Sequence, residues 1–286
     1  MKTVLETIDA GAGFLEKHGI DDARRNMQLL VAHQLKCTRT QLYMNFDQPM
    51  QEADLVPLRE ALKQRAKGVP LQHLLGTVEF YRREFKSDKR ALIPRPETEE
   101  LVSIVLKQDL PEQPRILDVG TGSGVLGLSL AAEIPGSQAV LVDISPEALA
   151  LAKENSDLLT IPNASFIESD LFAEVEGEFD LVVANLPYVA ERDRAQMSKE
   201  LAHDPDLALF SGEDGLDCLR RFCEQVSEFL KPGALVALEV GYDQGDRVGK
   251  LLQDAGLSEV SVASDLSGIR RFPMARKPFN KTLNHG

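Results

Sequence analysis

The chain has 286 residues, with 32 basic against 45 acidic side chains and a formal charge of −13. Hydrophobic residues make up 43% and charged residues 27%, the composition of a soluble globular protein, which excludes a disordered chain, a collagen-like fibre and a disulfide scaffold. No apolar run nears the ~20 residues that a bilayer-spanning helix needs, residues 1–6 lack the apolar core of a signal peptide, and the acidity opposes a protein that works by neutralising nucleic-acid phosphates. A cytoplasmic location, with no membrane partner and no direct nucleic-acid partner, is expected. Cys37, Cys218 and Cys223 form no CxxC pair and fit a reducing compartment. His18, His33, His73, His203 and His285 show no ligand spacing, so no metal is expected.

Charge divides the chain: residues 1–75 carry +1, residues 76–110 are neutral, and residues 111–286 hold −14. Residues 1–75 read as a small helical bundle. Asp21 and Asp22 can cap a helix whose Met27, Leu30, Val31 and Leu35 recur at helical spacing, and residues 52–67 carry Leu55, Leu58 and Leu62 in the same way. Such a bundle serves either as a stability or dimerisation cap or as a module that recognises a macromolecule. Residues 76–90 read as a hairpin linker, with Val78-Glu79-Phe80-Tyr81 and Arg83-Glu84-Phe85-Lys86 as two short strands. Pro94 and Pro96 then hold an extended segment, and Glu97 or Thr98 opens an amphipathic helix with acidic residues in its first turn.

From Arg115 strands and helices alternate. Strands are expected at 116–119, 139–142, 165–167, 179–184 and 234–240, and helices at 125–133, 146–156 and 216–230. The run over 179–184 is nearly all apolar, as a strand buried on both faces requires. Residues 91–286 therefore read as an α/β domain, a doubly wound parallel sheet that binds ligands at the carboxyl ends of its strands where their order reverses.

Two loops carry the chemistry. Asp118-Val119-Gly120-Thr121-Gly122-Ser123-Gly124 follows a strand and precedes a helix, and Asp143 closes the next strand, where a carboxylate can accept both hydroxyls of a ribose. A dinucleotide would want GxGxxG, which fits only if counted from Gly122 through Gly124 and Gly127. S-adenosylmethionine has no pyrophosphate, and Asp118 suits its cationic end; loop and Asp143 together favour it over a dinucleotide. Asp170-Leu171-Phe172, past the third strand, is placed to meet an adenine. Asn185-Leu186-Pro187-Tyr188 closes the apolar strand. The ordinary account is a strand-ending turn. The chemical account is that the Asn185 oxygen and the Leu186 carbonyl accept both N–H bonds of a planar NH₂ group on which Tyr188 stacks, pinning a poor nucleophile in line with a methyl donor.

These residues together resemble the PrmC/HemK family, the protein-(glutamine-N5) methyltransferases of peptide chain release factors. The resemblance runs through Pro70-Leu71-Gln72-His73-Leu74-Leu75-Gly76, Glu79-Phe80-Tyr81, Leu92-Ile93-Pro94-Arg95-Pro96-Glu97-Thr98-Glu99, the glycine loop, residues 185–188, Gly212-Glu213-Asp214-Gly215-Leu216 and Glu239-Val240-Gly241. It implies a Rossmann-like S-adenosylmethionine-dependent methyltransferase domain behind a helical domain that contacts class I release factors, acting on the glutamine of their Gly-Gly-Gln tip; a monomer is expected. By motif match it places Gly120, Thr121, Gly122, Ser123, Gly124, Asp143, Leu171 and Asn185 at the cofactor, to which the reading of the loop itself adds Asp170. It places Asn185, Leu186, Pro187 and Tyr188 at the glutamine, with Asn185, Pro187 and Tyr188 as the catalytic set. The family tetrapeptide is usually Asn-Pro-Pro-Tyr, and Leu186 replaces its first proline. Glutamine methylation of a ribosomal protein and adenine-N6 methylation of DNA are the alternative reactions. A non-catalytic binding module, which retention of Asn185 with Tyr188 disfavours, and a NAD-dependent oxidoreductase are the alternatives of another class.

Overall fold

A computed structural model describes residues 1–279; residues 280–286, with His285, lie outside it. The chain forms two compact units. The first is Met1–Thr77 with Ser198–His203, and the second is Val78–Met197 with the described chain from Asp204 on.

The first unit is helical: α1 (Val4–Lys17), α2 (Ala23–Gln34), α3 (Arg39–Met44), α4 (Glu52–Ala66) and α5 (Leu71–Leu75). Thr3 and Glu6 close a reciprocal capping box at the start of α1, at 3.2 and 2.9 Å, satisfying two N–H groups the helix cannot. Asp22 does stand at the N-cap of α2, but at φ 48° its side chain makes no capping bond. What holds α2 is packing: Met27, Leu30 and Val31 bury against Val4, Ile8, Leu42, Met50 and Leu58. Arg65 of α4 is 3% exposed. It donates to Asn26 Oδ1 at 2.7 Å and to the Val69 carbonyl at 3.2 Å, and it pairs with Glu200. That pair ties Ser198–His203 to the helices.

In the second unit a hairpin, β1 (Thr77–Phe80) and β2 (Arg83–Lys86), precedes α6 (Pro96–Val105). This helix starts earlier than expected, with Arg95 as N-cap and Pro96 in the first turn, where the missing N–H costs nothing. Then follow β3 (Arg115–Val119), α7 (Val125–Glu133), β4 (Gln138–Asp143), α8 (Pro146–Leu159), β5 (Ala164–Glu168), β6 (Phe179–Asn185), α9 (Asp206–Leu209), α10 (Asp217–Val226), β7 (Leu230–Glu239), α11 (Gly245–Asp254), β8 (Ser258–Ser264) and β9 (Arg270–Arg276). They build the doubly wound α/β sheet, in the order β5-β4-β3-β6-β7-β9-β8. Strands β3 to β7 run parallel, while β9 is antiparallel to both β7 and β8, an edge that strand–helix alternation did not announce. Helix α10 ends sooner than expected, tightening into a 3-10 turn over Ser227–Phe229 before Leu230 opens β7.

Alternate strand residues feed two cores. Leu117, Val119, Val182, Ala184, Val236 and Leu238 pack with α10 and α11 on one face. Ile116, Leu181, Val183, Leu235 and Ala237 pack with α6, α7 and the hairpin phenylalanines Phe80 and Phe85 on the other. Burial on both faces is why these strands read as continuous apolar runs. The chain winds from β3 outward to β5, then returns to β6 beside β3. The carboxyl ends of β3 and β6 therefore flank the switch point.

Candidate active site

A cavity of about 370 Å³ opens at the carboxyl ends of β3, β4, β5 and β6. Gly120, Thr121, Gly122, Ser123, Asp143, Asp170, Leu171, Asn185, Leu186 and Pro187 line it together; Gly124 and Tyr188 do not.

The loop after β3 is shaped by backbone that only glycine adopts cheaply: Gly120, Gly122 and Gly124 have φ of 71°, 56° and 85°. Gly124 ends the loop as the N-cap of α7, and a Cβ there would stand 2.9 Å from Leu128 Cδ1, so its absence serves helix packing. At Gly120 the space a Cβ would fill is taken by Leu186 Cδ2, which seats the unusual leucine of the tetrapeptide directly on the loop. The Gly120 and Thr121 N–H groups donate to the Val142 carbonyl at 2.8 and 2.9 Å. Asn155 of α8 joins Ser123 to the hairpin, donating to the Ser123 carbonyl at 2.9 Å and accepting from Lys86 N at 2.7 Å.

Asp118 lines the cavity, but its Oδ2 is engaged by the loop itself, accepting from Thr121 Oγ1 at 2.6 Å and from Gly127 N at 2.9 Å. Burial pushes its pKa up to about 6 against those two hydrogen bonds. Asp143 accepts from Gly122 N at 2.8 Å and from Ser145 N at 2.9 Å, and burial raises it too. Each of its oxygens keeps a lone pair for a ligand hydroxyl. Asp170 is paired with Arg221 at 2.8 Å. Leu171, at φ 54° and 6% exposed, is fixed by Ser169, whose hydroxyl donates to the Leu171 carbonyl at 3.0 Å.

At the end of β6, Asn185 donates from Nδ2 to Thr98 Oγ1 at 3.3 Å, while its Oδ1 is buried with no partner. The following residues are clamped. Gln244 donates to the Tyr188 carbonyl at 3.0 Å, Val189 N donates to the Leu209 carbonyl at 2.8 Å, and Gly215 leaves room for the Tyr188 carbonyl, which a Cβ would strike. The segment 93–98 is pinned as well: Asp204 accepts from Ile93 N at 3.2 Å and pairs with Arg95 at 2.7 Å. Sequence reasoning gave Thr98 only the start of a helix and gave no role to Asp204, Gln244 or the buried Glu239. Thr98 and Glu239 stood only as motif letters and Asp204 and Gln244 in no motif, because the partners lie far apart in the chain.

Residues 98–213 match the methyltransferase small domain, and residues 6–76 match the PrmC N-terminal domain. In fold the chain is similar to a methyltransferase from Pyrococcus furiosus, with a TM-score of 0.53 at 16% identity over 80% of this chain and 100% of that one. The sheet and the glycine-loop cavity thus define a methyltransferase-type α/β protein. The chain is 39% identical to the release factor glutamine methyltransferase of Deinococcus radiodurans, over 92% of its own length and 94% of that protein. It is 36% identical to that of Koribacter versatilis, over 96% and 99%. It belongs to the release factor glutamine methyltransferase family.

Proposed function

We propose that this protein methylates the side-chain amide nitrogen (N5) of the glutamine in the Gly-Gly-Gln tip of class I peptide chain release factors. The observation that carries the reading is the Asn185 Oδ1, buried and without a partner, in a side chain that lines the cavity beside the glycine loop. A buried acceptor left open costs about 1–3 kcal/mol unless something meets it, and a primary amide brings the N–H that does.

The residues present fit S-adenosylmethionine. Gly122 brings no side chain to the loop and Gly120 makes room for Leu186, Asp143 can receive a ribose, Leu171 offers apolar cover for an adenine, and Asp170 can accept from its amino group. When bound, that cofactor supplies an electrophilic methyl group on a positively charged sulfur. The chain's own part is positioning. Asn185 Oδ1 and the Leu186 carbonyl take the two N–H bonds of the glutamine, Pro187 stiffens the turn, and Tyr188, which was expected to stack on the amide but does not line the cavity, anchors the turn through its clamped carbonyl. The nitrogen would gain the methyl as its bond to sulfur breaks, leaving the neutral thioether S-adenosylhomocysteine, and would then release a proton to solvent, so no general base has to act first. The first unit is read as the docking module for the release factor, and the enzyme as a monomer that touches no nucleic acid, in keeping with its charge of −13.

Asn185→Ala is expected to abolish transfer while leaving cofactor affinity within about threefold, less than the ~1.4 kcal/mol of a tenfold change. Calorimetric titration with S-adenosylmethionine beside a turnover assay measures both. Retained turnover would remove Asn185 from its assigned role.

A further inference from the structure

Amide methylation requires Asn185 to present its oxygen, and a free asparagine gives no such assurance, since its O and N ends have nearly the same shape. Flipped, it would set N–H against N–H. Strand parity supplies the groups that decide. Asn185 ends β6, Glu239 ends β7, and the two are register partners. Leu181 and Val183, and Leu235 and Ala237, which alternate with them, all pack on the face covered by α6. Both polar ends therefore point toward the first turn of α6, where Thr98 stands. Asn185 Nδ2 donates to Thr98 Oγ1 at 3.3 Å, and Thr98 and Asn185 both favour the charged form of the Glu239 carboxylate, whose Oε2 is buried without a partner. The Thr98 hydroxyl accepts from Asn185 with a lone pair and keeps its one hydrogen for an acceptor, which the Glu239 carboxylate offers. An acceptor-only carboxylate at the base of the cluster, with its Oε2 still open, attracts donors and repels an amide oxygen, so Asn185 turns Nδ2 to the cluster and keeps Oδ1 as an open end.

We propose that Glu239, together with Thr98, is a positioning residue that holds the Asn185 amide with Nδ2 inward and Oδ1 toward the incoming glutamine NH₂. The inference rests on the amide-methylation reading.

Protonation would release the hold. Glu239 is 1% exposed. Burial pushes its pKa up to about 7, with Glu97 of α6 adding to the rise, while Thr98, Asn185 and the charge of Arg271 on β9 oppose it. Tyr188, the other titratable group beside it, is pushed up to about 12 and stays a neutral phenol. A protonated Glu239 becomes a donor and can hold the flipped amide through Oδ1.

Glu239→Gln keeps the shape and carries a donor at every pH. The test measures kcat and KM from about pH 6 to about pH 9 for the wild type, Glu239→Gln, Thr98→Val and Thr98→Ser. In parallel it follows solvent exchange of the Asn185 side-chain NH₂ by NMR in cofactor-free protein, assigned by its loss in Asn185→Asp. Glu239→Gln should lower kcat about 10- to 100-fold, leave KM for S-adenosylmethionine nearly unchanged, and lose the fall in kcat that the wild type shows as pH drops through about 7. Thr98→Val should behave alike, Thr98→Ser should regain most of the loss, and the Asn185 NH₂ should exchange faster in Glu239→Gln. Wild-type kcat with an unchanged acid limb in Glu239→Gln, or equal exchange, would overturn the proposal. A wild type that labels no release factor would instead overturn the amide-methylation reading, and the exchange rates would then decide the role of Glu239 alone.

Discussion

Tyr188 shows how a residue outside the cavity can still belong to its design. Its ring sits beside Gly241 and its carbonyl fills the space that Gly215 leaves, so the two glycines shape the segment after β6. Gly215 also has a φ of 77°, so Gly215→Ala carries backbone strain of about 1–3 kcal/mol as well as the collision with the Tyr188 carbonyl. A lower urea midpoint together with a lower kcat is expected; an unchanged midpoint would show that the segment can shift at no cost. Asp118 gives a pH signature. Its pKa is raised from 3.8 to about 6 in the folded chain, so folding favours its protonated form. The stability it lends is fully present below about 3.8 and is lost as pH rises through about 6. Asp118→Asn should lack that loss, which urea midpoints of the two proteins at either end of the window would reveal as a smaller decline in the variant. Asn185 was legible because a polar residue closing an apolar strand needs a reason. Glu239 was not, because a lone Glu in a motif does not say which strand lies beside it.

Elements explain the motif letters. The segment Ile93-Pro94-Arg95-Pro96-Glu97-Thr98 is specific because its residues meet different parts of the fold. Ile93 and Arg95 engage Asp204, Pro96 starts α6, and Thr98 meets Asn185. The two prolines revealed an extended stretch entering a helix, but the Asp204 partner is beyond any local pattern. The parallel strands β3 to β7 were legible because burial on both faces leaves long apolar runs. The β8–β9 pair was not, since its exposed face mixes Glu259, Ser261 and Arg270 among apolar residues. The helical unit offers the same lesson. Leucine spacing revealed α2 and α4, while nothing in the sequence of Ser198–His203 marks it as part of that unit. Arg65→Ala strands the buried Asn26 side chain and removes the Glu200 partner, a loss of about 1–3 kcal/mol. Lower thermal stability with unchanged cofactor affinity is expected, and loss of cofactor binding at full stability would contradict a purely structural role for Arg65.

At the scale of the molecule the charge is the organising fact. The net negative charge lies wholly in residues 111–286, which hold −14, while residues 1–75 carry +1 and bring the total to −13. The acidic sheet domain suits a site that accepts one glutamine-bearing loop of a protein, and a near-neutral helical unit suits docking to the rest of it. An enzyme that flips a base from duplex DNA would need a basic surface along that domain. The most direct measurement combines purified protein, methyl-labelled S-adenosylmethionine and class I release factors, with a Gly-Gly-Gln to Gly-Gly-Ala tip variant and duplex DNA as parallel acceptors. Glutamine methylation at the tip predicts label on the intact release factor and none on the tip variant or the DNA. Equal labelling of the tip variant, or label on the DNA, would contradict it.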